Sequence, residues 1–138
     1  MSRLRIFISL ICGCIYVASL FPNVFIFSAR DNFSPGYICL IAGMGFLAWY
    51  ANILLLVSHA AMHIRKDRAA LALAVAALGF ACTTLWIKRL PADEAARNMV
   101  DVTGYGTGFY LWMASIVTTI MLQTLFLWRK SGTHAKSL

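Results

Sequence analysis

Apolar residues gather into four long stretches, at about 6–29, 37–57, 69–87 and 106–128, and charged and turn-forming residues fall almost entirely between them. Crossing roughly 30 Å of hydrocarbon as an α-helix takes about 20 predominantly apolar residues, because each residue rises about 1.5 Å. Every stretch meets or approaches that length. The pattern predicts an all-α membrane protein: one transmembrane domain over residues 1–138, with four helices in two hairpins. The first stretch follows Arg3 and Arg5 as the core of a secretory signal would. Such a core runs for only about 7–15 residues, whereas here the apolar run continues from Ile6 past Phe27. It reads as a retained span.

Composition agrees. Of 138 residues, 61% are hydrophobic and 12% charged, more apolar surface than a small water-soluble domain can bury. Charge then orients the helices. Arg3, Arg5, Arg65, Lys66, Arg68, Arg129, Lys130 and Lys136 flank one side against a single acid, Asp67. The other side balances Arg30, Lys88, Arg89 and Arg97 with Asp31, Asp93, Glu94 and Asp101. Short basic flanks resist translocation, so both termini are expected in the cytoplasm of a bacterial inner membrane. The net charge of +7 is accounted for by orientation and attraction to anionic headgroups, with no nucleic-acid partner expected.

The first outer loop, RDNFSPG, is a short turn carrying Pro35 and Gly36. The second, KRLPADEAARNMVDVTGYGTG, is the long one. Pro91 followed by ADEAARNMV predicts a short interfacial helix that buries Leu90, Ala95, Met99 and Val102. The segment 104–115, GYGTGFYLWMAS, opens the fourth span. It has neither the lysine nor the strand context of a phosphate loop. Gly104 and Gly108 stand four apart, so on a helix they share one face and admit a neighbouring backbone. Tyr105, Tyr110 and Trp112 suit the aromatic belt at the outer interface.

Candidate chemistry is sparse. Cys12 and Cys14 form C-x-C, while Cys39 and Cys82 lie towards the outer ends of spans two and three. There is no CxxC, so the thiols read as small packing residues, with a Cys39–Cys82 disulfide as the lesser alternative. His59 and His63, four apart at the cytoplasmic end of span two, share a helix face and permit a metal site only if a third ligand comes from elsewhere. Beside Arg65 and Lys66 they read instead as a polar helix end. The four spans contain no Asp, Glu, Lys or Arg, and such groups are what usually mark ion pathways and proton relays. No nucleophile, base or carboxylate pair suggests catalysis, and no cofactor is expected. Neutral polar residues do occur within the spans, chiefly Asn52, three residues after Trp49, and Gln123. Counting from the span ends places these two amides at a similar depth, where they could pair.

WYAN in span two, the basic turn IRKDR leading into an alanine-rich third span, and YGTGFYLWMAS opening the fourth together resemble small four-helix inner-membrane proteins of Gram-negative bacteria. The resemblance covers about residues 37–128, with Ile53 where the family's W-x-A-N-P pattern has proline. Some proteins of this build are immunity proteins against pore-forming toxins. The resemblance implies a non-catalytic protein, an immunity protein or an accessory subunit of a membrane complex, that recognises a membrane-inserted toxin or another membrane protein through helix–helix contact; the residues themselves offer Gly104, Gly108, Trp49, Asn52, Gln123, Tyr110 and Trp112 as helix-packing or interaction positions. The alternative is a carrier of haem, redox equivalents or a small hydrophobic ligand.

Overall fold

A computed structural model describes residues 2–28, 34–91 and 98–135. The chain is mostly helical: α1 (Ser2–Ser19), α2 (Gly36–Ala42), α3 (Tyr50–His63), α4 (Asp67–Cys82) and α5 (Thr107–Ala135). Three short strands, β1 (Phe25–Phe27), β2 (Arg89–Pro91) and β3 (Met99–Tyr105), form an antiparallel sheet in the order β1-β3-β2. Helices α1, α3, α4 and α5 form the bundle. Its two ends are here called the sheet end and the basic end, the latter carrying Arg5 and the turn at Arg65 and Lys66.

Small residues bring the helices together. Ala70, Ala74, Ala77 and Ala81 recur at three- and four-residue intervals and are all fully buried on one face of α4, which permits close backbone approach by α3 and α5. Facing them are Ala51, Leu55 and Ser58 of α3 and Ile116, Thr119 and Gln123 of α5, all buried. Large apolar side chains point the other way: Leu10 is 60% exposed, Leu56 71% and Met121 59%. Two helical segments, Asp67–Trp86 with 20 residues and Thr107–Arg129 with 23, are long and apolar enough to cross a membrane. The first includes the 3₁₀ turn Thr83–Trp86 that continues α4.

Three departures from the sequence pattern shape the sheet end. The first stretch ends as helix at Ser19 rather than continuing to residue 29. Pro22 lacks an N–H and disfavours helix at the residue before it, and the chain turns there into β1. The second stretch is interrupted: between α2 and α3 lie two 3₁₀ turns, Gly43–Gly45 and Leu47–Trp49, joined by an extended Phe46. Two glycines within three residues lower the helix preference there. Trp49 compensates by donating its indole N–H to the Leu40 carbonyl at 2.6 Å, a group left over at the end of α2.

The expected interfacial helix of the second outer loop is the third departure. Residues 92–97, including Ala95, lie outside the described residues, but Leu90 belongs to β2, and Met99 and Val102 to β3. In β3, Val100, Val102 and Gly104 turn inward while Met99, Asp101 and Thr103 are exposed, the two-residue alternation of a strand covered on one face. Gly104 is thus a strand residue paired with Ile26, so it does not share a helical face with Gly108.

Gly36, Gly106 and Gly108 instead admit the segment between α1 and β1. The N–H of Gly36 donates to the Pro22 carbonyl (3.1 Å), that of Gly108 to Asn23 (2.9 Å) and that of Gly106 to Val24 (2.9 Å). Three successive carbonyls outside regular structure thereby find partners.

At the basic end, α3 and α4 are joined by a tight turn. Lys66 N–H donates to the Ala61 carbonyl and Arg65 N–H to that of Met62, the pairing of a Schellman cap. Arg65 occupies its left-handed position, with φ 66°, where glycine is the usual occupant.

Candidate functional site

The sheet end forms a half-open cavity of about 310 Å³, within the range of small-molecule sites. Phe25 of β1, Thr84 after α4 and Trp112 of α5 form part of its wall, and the interrupted segment contributes Gly43, Ala48 and Trp49. Gly43 leaves room for the Trp49 ring: a Cβ there would lie 3.1 Å from Trp49 Cδ1.

Asn52 organises the polar part of the wall. Its Oδ1 accepts from the Tyr16 hydroxyl at 3.1 Å and from Trp112 Nε1 at 2.9 Å, tying α3 to α1 and α5. Trp112 is therefore turned inward and is no belt anchor, while Tyr110 beside it is 62% exposed. Tyr105 also faces in. Its ring lies 4.5 Å from that of Phe109, and its hydroxyl donates to the Thr84 backbone carbonyl at 3.3 Å. The Thr84 side-chain hydroxyl, in a residue only 2% exposed, has no hydrogen-bond partner among the described residues.

Asn52 and Gln123 do not pair. Because α3 begins at Tyr50 and runs on to His63, Asn52 lies in its first turn, and Ser58 is the residue that meets Gln123. Gln123 Nε2 donates to Ser58 Oγ at 3.0 Å, and Ser58 Oγ donates to the Ala70 carbonyl at 2.8 Å. This buried relay joins α5, α3 and α4 through groups that would otherwise lie unpaired in an apolar core.

The histidines occupy the opposite end of α3. Ser9 Oγ of α1 lies 3.4 Å from His59 Nδ1 and 3.1 Å from His63 Nε2, so both imidazoles meet a hydroxyl. Nearby in sequence, Arg5 and Asp67 form an ion pair that the sequence reading missed. One guanidinium nitrogen of Arg5 donates to both carboxylate oxygens, at 3.0 and 3.1 Å, and both residues are buried. The guanidinium also lies 5.2 Å from the centre of the Phe126 ring. A basic residue before a span reads as a topology signal, and only packing of α1 against the start of α4 shows its second role. All four cysteines are free thiols, Cys39 and Cys82 included.

Comparison with protein families, curated proteins and solved structures finds no match to this chain.

Proposed function

We propose that the protein is a four-pass protein of a bacterial inner membrane, with both termini cytoplasmic, that acts without catalysis by holding a small hydrophobic ligand in the cavity at its outer, sheet end. Its surface supports the membrane reading. Exposed Leu10, Leu56 and Met121 suit contact with lipid, while alanine, serine, threonine and glutamine fill the interior. Helices associating in a bilayer gain from close packing and interhelical hydrogen bonds. In this reading α1 is the first span, and α2, the interrupted turns and α3 together make the second. The 18 residues of α1 extend about 27 Å at the usual helical rise.

The observation that carries the ligand reading is the break between α2 and α3. Non-helical backbone within a bilayer is tolerated where it is buried in protein or lines a cavity, and interrupted spans often build binding sites. Here the break supplies cavity wall. A second reading, recognition of a membrane-inserted toxin or another membrane protein as in the resembling immunity proteins, draws on exposed Trp86 (78%) and Phe21 (71%). Surface recognition alone needs no space behind the surface, so the cavity favours the ligand.

Two measurements test this proposal. Reporter fusions after Leu138 should register as cytoplasmic, and insertions between Pro91 and Met99 as periplasmic. A periplasmic C-terminus would overturn the four-span arrangement. In nanodiscs, a saturating alkylbenzene should raise the thermal midpoint by several degrees, through preferential binding to the folded state. Ala48→Leu, which narrows the cavity, should reduce that shift markedly while the unliganded protein remains folded. Equal shifts in both proteins would place the alkylbenzene elsewhere and remove the ligand reading.

A further inference from the structure

We infer that the cavity selects a neutral hydrophobe bearing a carbonyl oxygen, which is received by Asn52 and Thr84. This inference rests on the ligand reading above and adds the chemistry of the ligand.

The argument starts from hydrogen-bond capacity. An indole N–H can only donate, so Trp112 must face the oxygen of the Asn52 amide, not its nitrogen. Tyr16 donates to the same oxygen. Both lone pairs of Oδ1 are then engaged, and the amide NH₂, fixed on the other side, has no partner among the described residues. Thr84 supplies the second group, its buried Oγ1, which has no hydrogen-bond partner among the described residues. Both residues line the cavity. The asparagine NH₂ can only donate and the threonine hydroxyl can donate as well, so the ligand group that satisfies both is an acceptor.

Charge and shape restrict it further. No charged side chain among the described residues lines the cavity, and a carboxylate or phosphate buried there would lack a counter-charge. Aromatic wall residues Phe25, Trp49 and Trp112 favour an apolar, ring-sized body. A bilayer offers this chemistry from two sources: the ring carbonyls of an alkylated quinone and the ester carbonyls of a neutral lipid.

The test uses the full chain in nanodiscs titrated with three probes: an alkyl-benzoquinone, dioctanoylglycerol and an alkylbenzene of similar size. At least one carbonyl probe should bind about tenfold more tightly than the alkylbenzene, and its identity assigns the source. Thr84→Val, which keeps shape but removes the hydroxyl, should weaken that probe about fivefold to tenfold and leave alkylbenzene binding unchanged. Thr84→Ser should retain affinity. Asn52→Asp, which keeps the oxygen for Tyr16 and Trp112 but removes the NH₂, is a second route to the same loss.

If the alkylbenzene binds as tightly as both carbonyl probes, the carbonyl inference fails while the hydrophobic-ligand reading stands. Preferential carbonyl binding that is indifferent to both Thr84→Val and Asn52→Asp overturns the assignment of residues. Failure of all three probes to bind the folded protein removes the inference and the reading together.

Discussion

Replacing Gly106 with valine is expected to destabilise the protein by about 3 kcal/mol or more, the upper part of the range for overpacking a close contact. A Cβ at this position would collide with the backbone carbonyl of Asn23, and backbone held by neighbouring hydrogen bonds cannot swing aside as a flexible side chain can. Gly108→Ala should also be damaging, by about 1–3 kcal/mol, because its Cβ would lie 2.6 Å from the Pro22 carbonyl oxygen. Gly104→Ala should change stability by no more than about 0.5 kcal/mol, since the nearest atom to its Cβ is Ile26 Cδ1 at an ordinary 3.7 Å. None of the three has positive φ, so the requirement is for space and not for backbone freedom. Thermal unfolding in detergent gives the ranking. Equal tolerance at 104, 106 and 108 would show that the Phe21–Val24 segment is not held against the start of α5.

That ranking differs from the one the sequence suggests. A helical reading groups Gly104 with Gly108 and leaves Gly106 off the shared face. The same glycines also lie at a spacing of two, and MVDVTGY before them alternates as a strand does. The helical signal prevailed because the apolar run after Phe109 is long, while a three-stranded sheet is assembled from pieces that are each too short to register. The helices themselves were legible. Two of the four apolar stretches yield helices long enough to cross a membrane. The break in the second stretch was foreshadowed by AGMG at 42–45, but composition alone gives two glycines little weight within an otherwise apolar run. Trp49 and Asn52 stood out as polar-capable residues. Their partners Leu40, Tyr16 and Trp112 depend on where the chain turns, which a depth count along unbroken helices misplaces. The pairing expected between Asn52 and Gln123 failed for that reason.

Arg5→Met is expected to destabilise the protein by about 3–5 kcal/mol, the range for removing one partner of a buried ion pair, without changing the orientation reported by a C-terminal fusion. The two consequences separate because Arg5 contributes to two different things. In a charge count it is one of several basic residues on its side of the chain, and Arg3, Arg65, Lys66, Arg68 and Arg129 preserve the bias when it is lost. In the fold it joins α1 to the first turn of α4 through Asp67, with both side chains less than a tenth exposed. Methionine keeps much of the aliphatic length of the side chain but removes the guanidinium that lies over Phe126 and pairs with Asp67. Asp67→Asn in the Arg5→Met background should recover part of the loss, since it removes a buried charge that has lost the Arg5 cation, whereas Asp67→Asn alone should destabilise. A double-mutant cycle on thermal or chemical unfolding measures the coupling. Additive effects would mean that the pair does not fasten α1. The surface pair Arg89–Asp101 is a built-in comparison. At 2.7 Å it is the shorter contact, but its side chains are 67% and 62% exposed, so screening and side-chain entropy should hold its coupling to about 1 kcal/mol or less. The buried pair should exceed it despite the longer distance, because removing the counter-charge from a carboxylate shielded from water costs more than removing it from one that water screens.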